Sequence, residues 1–133
     1  MAALTDAQAA MIRWARVARM ATIGASGRLH NVPICPALDG DRIVICLESG
    51  STKARNALAD GRVAIIFDDY IEDWDANRGV LVQGRAAAME GEGWERGRRL
   101  LYEKFQQYEP RAEIGPGDPI VEVAIKHIAS WGL

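Results

Sequence analysis

The sequence predicts a mostly β fold with a few helices, an antiparallel barrel of six strands. Three observations carry that expectation. Short runs rich in Val and Ile recur along the chain, brief Gly-, Asp- and Ser-containing turns separate them, and few stretches show helical spacing. Strands joined by such short turns pair antiparallel, because a parallel pair needs a long crossover. At 133 residues and 49% hydrophobic composition, the chain is expected to be one domain over 1–133 around one core.

In chain order, Thr5 and Gln8 have the spacing of a capping box, so a first helix runs from Thr5 to about Val17. "RMATIGASGRLHNVPICPAL" reads as two strands joined at Ala25-Ser26-Gly27. Pro33 and Pro36 fall inside the second of these. Proline cannot donate to a ladder, so this strand is expected to have an open or interrupted edge where a ligand can approach the backbone. A turn at Asp39-Gly40-Asp41 leads to "RIVICL", a β-branched run typical of a buried strand. A short helix over 54–59 ends at Asp60-Gly61 and precedes the strand "RVAIIF". "DDYIEDWDANR" is a polar loop, and "GVLVQGRAAAM" is a long strand whose internal glycine predicts a bulge or close backbone approach. A helix from Trp94 to Phe105, a Pro- and Gly-rich connector and the closing strand "IVEVAIKHI" complete the order.

Composition and spacing exclude several function classes. No apolar run approaches the ~20 residues of a membrane span, and the N-terminus lacks the order of a secretory signal, so a cytoplasmic location is the default expectation. The net charge of −2 leaves no basic face for a polyanionic nucleic acid, and the Arg96, Arg98, Arg99 cluster is read as the solvated side of a helix. Cys35 and Cys46 are expected to be reduced core thiols, and with only His30 and His127 beside them no zinc-ligand spacing exists. "DDYIEDWD" fails as a calcium loop because Asp73 stands at the sixth position, where such a loop needs glycine. The stretch reads as a solvated loop, and its Tyr70 and Trp74 suit a core or a partner subunit better than a cofactor. "GEGWERG" fails as a dinucleotide fingerprint, since Arg96 stands where the third glycine belongs and Glu92 and Glu95 would repel a pyrophosphate. Trp131, close to the end of the sequence, either pins the last strand or lies against a flat ligand.

One stretch points toward a ligand. "GSTKARNAL", residues 50–58, sets Ser51, Thr52 and Lys53 at the start of a short helix, with Arg55 close behind. Unpaired amides and the positive end of the dipole favour an anion there, and a lysine adds a full charge. The same pattern also serves an ordinary capped helix with solvated basic residues.

The order of parts resembles the pyridoxamine 5′-phosphate oxidase-like family of FMN-binding split barrels, and in particular its short bacterial members labelled probable coenzyme F420-dependent enzymes. The resembling residues are "ARMATIGASGRLHNVPICPALDGDRIVICL", "STKARNALADGRVAIIFDDYIEDW", "VQGRA", "EKFQQYEP" and the terminal "SW". The resemblance implies a split barrel in which Asn31, Val32, Pro33, Ile34 and Cys35 line the flavin. It further implies that Thr52 and Lys53, with Ser51 beside them, grip the cofactor phosphate and that Gly79 approaches the ring. It implies a homodimer with cofactor sites at the subunit interface. Asn31 and Thr52 stand where oxidases acting on pyridoxamine phosphate commonly carry arginines, so that reaction is not implied. What is implied is an oxidoreductase passing hydride or electrons through FMN, or alternatively F420, to a small-molecule substrate, with no acid–base residue assigned. A flavin carrier without a substrate is the second reading and a haem-binding split barrel the third.

Overall fold

The computed structural model describes residues 2–133. A single antiparallel sheet carries seven strands: β1 Ala18–Ile23, β2 Leu29–Ile34, β3 Ala37–Asp39, β4 Arg42–Cys46, β5 Arg62–Asp69, β6 Arg78–Ala88 and β7 Ile120–Trp131. Four helices accompany them: α1 Asp6–Trp14, α2 Thr52–Ala59, α3 Glu92–Lys104 and the short α4 Tyr108–Arg111. The strand order is β2-β1-β5-β6-β7-β4-β3.

The expected six strands become seven because the proline-containing run is split. Its first half pairs with β1 and its second half with β4, at opposite ends of the sheet. Only Cys35 and Pro36 separate the two halves. Three Cα steps of 3.8 Å bring Ile34 and Ala37 within about 11 Å, so the sheet has to curl until its two edges meet. The result is a barrel split between β2 and β3, at the point where the prolines remove ladder donors.

Burial follows the pleat. Met20, Val63, Ile65, Phe67, Val80, Val82, Val123 and Ile125 fill the barrel together with Ile12 of α1. Strand β4 is apolar on both faces because Ile43 and Ile45 point into the barrel while Val44 packs under α3 with Leu101, Phe105 and Ile120. The glycine in β6 marks a bulge between Gln83 and Gly84. A Cβ on Gly84 would lie 2.1 Å from the carbonyl oxygen of Ala124, so close backbone approach explains the residue.

The capping box forms at α1, with Thr5 and Gln8 exchanging side-chain and backbone hydrogen bonds at 2.9 and 3.1 Å. That helix stops at Trp14 rather than near Val17. The arginine cluster on α3 is more engaged than a solvated face. Arg98 stacks 4.3 Å over Tyr102 and donates to the Ile114 carbonyl, and Arg96 pairs with Asp39. Among the described residues no helix is long and apolar enough to cross a membrane. Nor does any group of three or more His, Cys, Asp or Glu among them gather as metal ligands.

Candidate functional site: an edge strand, a helix start and a cationic cleft

Strand β2 borders the split, its outward residues Asn31 and Pro33 are exposed, and so is Cys35 just beyond its end. Val32 and Ile34 alternate inward, and Ile34 is buried in the core. The five residues expected to line a flavin therefore divide. Three side chains face out, and the other two contribute backbone to the strand. Cys35 is exposed, which corrects the expectation of a core thiol. The physical reason is the split itself, since Cys35 lies between strands rather than inside one.

Helix α2 is held against the barrel by buried Ala54 and Ala57 and by a hydrogen bond of 3.0 Å from the Asn56 amide to the hydroxyl of Thr22. That hydroxyl is the only buried polar side chain among the described residues. Ser51 is the N-cap, its Oγ accepting from the Ala54 amide at 3.2 Å. The amides of Thr52 and Lys53 keep no acceptor within the chain among the described residues. Arg55 folds back, donating to the Gly50 carbonyl and to Thr52 Oγ1. Lys53 has no carboxylate partner among the described residues.

Helix α2 packs against both β1 and β2, so the helix and the edge strand are neighbours. The Lys53 ammonium bears on the Cys46 thiol, and Cys46 and Cys35 both bear on the Tyr108 phenol. Burial pushes Cys46 up to about 12, the Asp118 carboxylate pushes the same way, and Lys53 opposes them. Tyr108 is raised as well, chiefly by burial. Gly79 is set apart from β2 by β1 and β5, and the Trp131 indole covers its α-carbon so closely that a Cβ would fall 2.1 Å from the ring. The indole remains 43% exposed, so it pins β7 to β6 and still presents a ring surface.

Beside Cys35 the structure places residues to which sequence reasoning assigned no role. Cys35, Phe105 and Tyr108 line a cleft of about 280 Å³ together with Arg16 and Arg111. Arg16 stacks 4.7 Å over Phe105 and donates to the Lys104 carbonyl at 2.9 Å. The Lys104 ammonium donates to the Pro36 and Ile12 carbonyls at 2.6 and 3.4 Å. Burial pushes Lys104 down to about 8, and Arg16 adds to that effect while Cys35 opposes it. These residues come from three distant segments, and the one available signal was the mixture of aromatics and cations in "EKFQQYEPR".

A family model described as pyridoxamine 5′-phosphate oxidase matches residues 4–132. The chain belongs to that family. Within it, the chain is 30% identical over 120 residues to a 5a,11a-dehydrotetracycline/5a,11a-dehydrooxytetracycline reductase from Streptomyces rimosus, over 86% of this chain and 73% of that one. Among solved structures, a conserved hypothetical protein from Mycobacterium tuberculosis superposes with TM-score 0.82 at 24% identity, over 96% of this chain and 84% of that one. An FAD-binding protein from Mesorhizobium loti gives 0.75 at 18% identity, over 96% and 94%. The haem storage protein of Vibrio cholerae gives 0.80 at 13%, over 98% and 94%. These structural likenesses show the shared fold.

Proposed function

We propose that the protein is an oxidoreductase that binds FMN, or alternatively coenzyme F420, along β2 and at the start of α2, and transfers hydride or electrons to a small substrate. The observation that carries this reading is an exposed strand at the split with a helix packed against it whose start is ready for an anion. The donor set fits a phosphate: two open amides, the Ser51 and Thr52 hydroxyls, and an ammonium with no competing carboxylate. Asn31, Pro33 and Cys35 would lie along the ring. The reductase relative supports redox chemistry over simple storage.

When bound, the cofactor supplies the hydride or electron transfer itself. The chain's part is to bind, to orient and to exclude water. Ser51, Thr52 and Lys53 would fix the phosphate, and that end then sets how far the ring extends along β2. Pro33, which presents no N–H, offers an apolar surface there. One subunit leaves this face open, so a second copy closing over it completes the reading as a homodimer.

The absorption spectrum of the purified protein, followed by titration with FMN and F420, tests this directly. A flavin or deazaflavin band with saturable binding is expected, and turnover of a reduced nicotinamide or of reduced F420 with an added acceptor separates an enzyme from a carrier. A haem Soret band with no binding of either ring would overturn the proposal. Haem is disfavoured by position: His30 alternates toward the half-buried face of β2, and His127 lines a groove on the sheet with Gln83 and Lys126, away from the α2 start.

A further inference from the structure

The cationic cleft adjoins the proposed cofactor face at Cys35, but its cations and aromatics have no part in the cofactor reading. It continues into a second depression of about 560 Å³ lined by Lys104 and Gln106, and the two share Arg16, Gln107 and Arg111. Three cations therefore face one continuous hollow, and no aspartate or glutamate lines either part. Among the described residues, no carboxylate lies within 4.0 Å of Arg16, Lys104 or Arg111. Charges grouped this way repel one another, and the protein compensates them only with neutral groups. Lys104 is held by two carbonyls, and Arg16 by one carbonyl and the face of Phe105. The apolar part of the hollow is aromatic, with Phe105 set edge-on to Tyr108 at 6.0 Å.

We propose that Arg16, Lys104 and Arg111 bind the carboxylate or phosphate of a small molecule whose flat apolar body lies against Phe105 and Tyr108. An anion there relieves the mutual repulsion and supplies the counter-charge that the three cations lack. The lowered proton affinity of Lys104 fits an ammonium awaiting its counter-charge, since an opposite charge within a few ångströms restores the protonated form. Phe105 and Tyr108 give the body of such a molecule a surface to stack on. The competing account is that the arginines only cover Phe105 with their stems. The proposal rests on these side chains alone and stands whether or not a flavin binds at β2.

The chain has three lysines, Lys53, Lys104 and Lys126, so side-chain NMR of lysine-labelled protein reports each site separately. Titration with benzoate, and separately with inorganic phosphate, should shift the Lys104 signal saturably while Lys126 stays still. A response to benzoate alone assigns a carboxylate, and one to phosphate alone a phosphate ester. The double variant Arg16→Gln/Arg111→Gln should weaken the response by at least about tenfold with the Lys126 signal unchanged, which reports an intact fold. A Lys104 signal unmoved by either probe would overturn the proposal, as would an undiminished response in the double variant. FMN added to the benzoate-bound protein should move Lys53 and leave the Lys104 response in place. Displacement of benzoate would instead assign the cations to the cofactor and end the claim of a separate site. If Lys53 ignores FMN while Lys104 answers benzoate, the cofactor reading fails and this one stands.

Discussion

At the scale of single residues, three side chains make separable predictions. Lys53→Ala should weaken cofactor binding by about 1.5–3 kcal/mol, the range for a hydrogen bond to a charged group, while the fold persists. Titration with FMN and F420 checks it, and unchanged affinity in a folded variant would remove Lys53 from the clamp. The two cysteines should differ in reactivity, because Cys35 is exposed while burial holds the Cys46 thiol near 12. Mass spectrometry after brief alkylation at pH 8 should find Cys35 modified and Cys46 largely intact. Lys104 gives a pH dependence. Its folded-state value of about 8 lies below the ordinary 10.5, so the unfolded chain binds more protons between those values. The cost of keeping Lys104 charged is therefore fully present below pH 8 and fades as pH rises toward 10.5. The stability difference between wild type and Lys104→Met should shift in favour of wild type across that window, as read by urea unfolding at pH 7 and pH 10. Comparing the two proteins cancels the opposing titrations of Cys46 and Tyr108, whose raised values act in both.

Among the elements, β6 and its bulge are the tightest constraint. Gly84 sits where β6 slips register against β7, and its missing Cβ is what lets the Ala124 carbonyl approach. Gly84→Ala forces backbone against backbone and should cost about 1–3 kcal/mol, in the range of an overpacked core. Urea denaturation measures that cost, and a change under about 0.5 kcal/mol, the scatter of ordinary surface substitutions, would mean that the bulge relaxes freely. Helix α2 depends on its neighbours in a different way. Its buried face has only Ala54 and Ala57, so the Asn56–Thr22 hydrogen bond helps to aim its N-terminus. Strand β2 owes its open main-chain edge to its place at the end of the order, with Pro33 opposite Arg19 of β1.

For the whole molecule, the exposed aromatics matter most. Tyr70 and Trp74 are 70% and 74% exposed, so they do not fold back onto their own core. Trp14 is 80% exposed and lines a groove of about 590 Å³ with Val17 and Leu133. Isolated apolar side chains on a surface are ordinary, but this many large ones on so small a protein suit a protein interface. A symmetric homodimer is the expected outcome, with light scattering giving twice 14.6 kDa. Replacing Trp14 and Trp74 together with Glu should yield a folded monomer with weakened cofactor binding. A wild-type monomer that binds FMN or F420 at full stoichiometry would end the interface model.

The sequence by itself determined the local structure. The capping box of Thr5 and Gln8, the turns at Ser26-Gly27 and Asp39-Gly40 and the cap of α2 at Ser51 are all set by residues within a few positions of one another. Their energetics are decided by neighbouring dihedrals and short-range hydrogen bonds, so spacing alone reports them. The tertiary structure decided what depends on distant partners. It split the proline-containing run between two ends of one sheet, turned Cys35 outward, laid Trp131 on Gly79 and buried Thr22 under Asn56. It also gathered Arg16, Lys104 and Arg111 around one hollow, from segments nearly a hundred residues apart. Burial and the proximity of like charges arise only when the sheet closes, because closure, rather than any local pattern, determines which side chains lose water and which charges become neighbours.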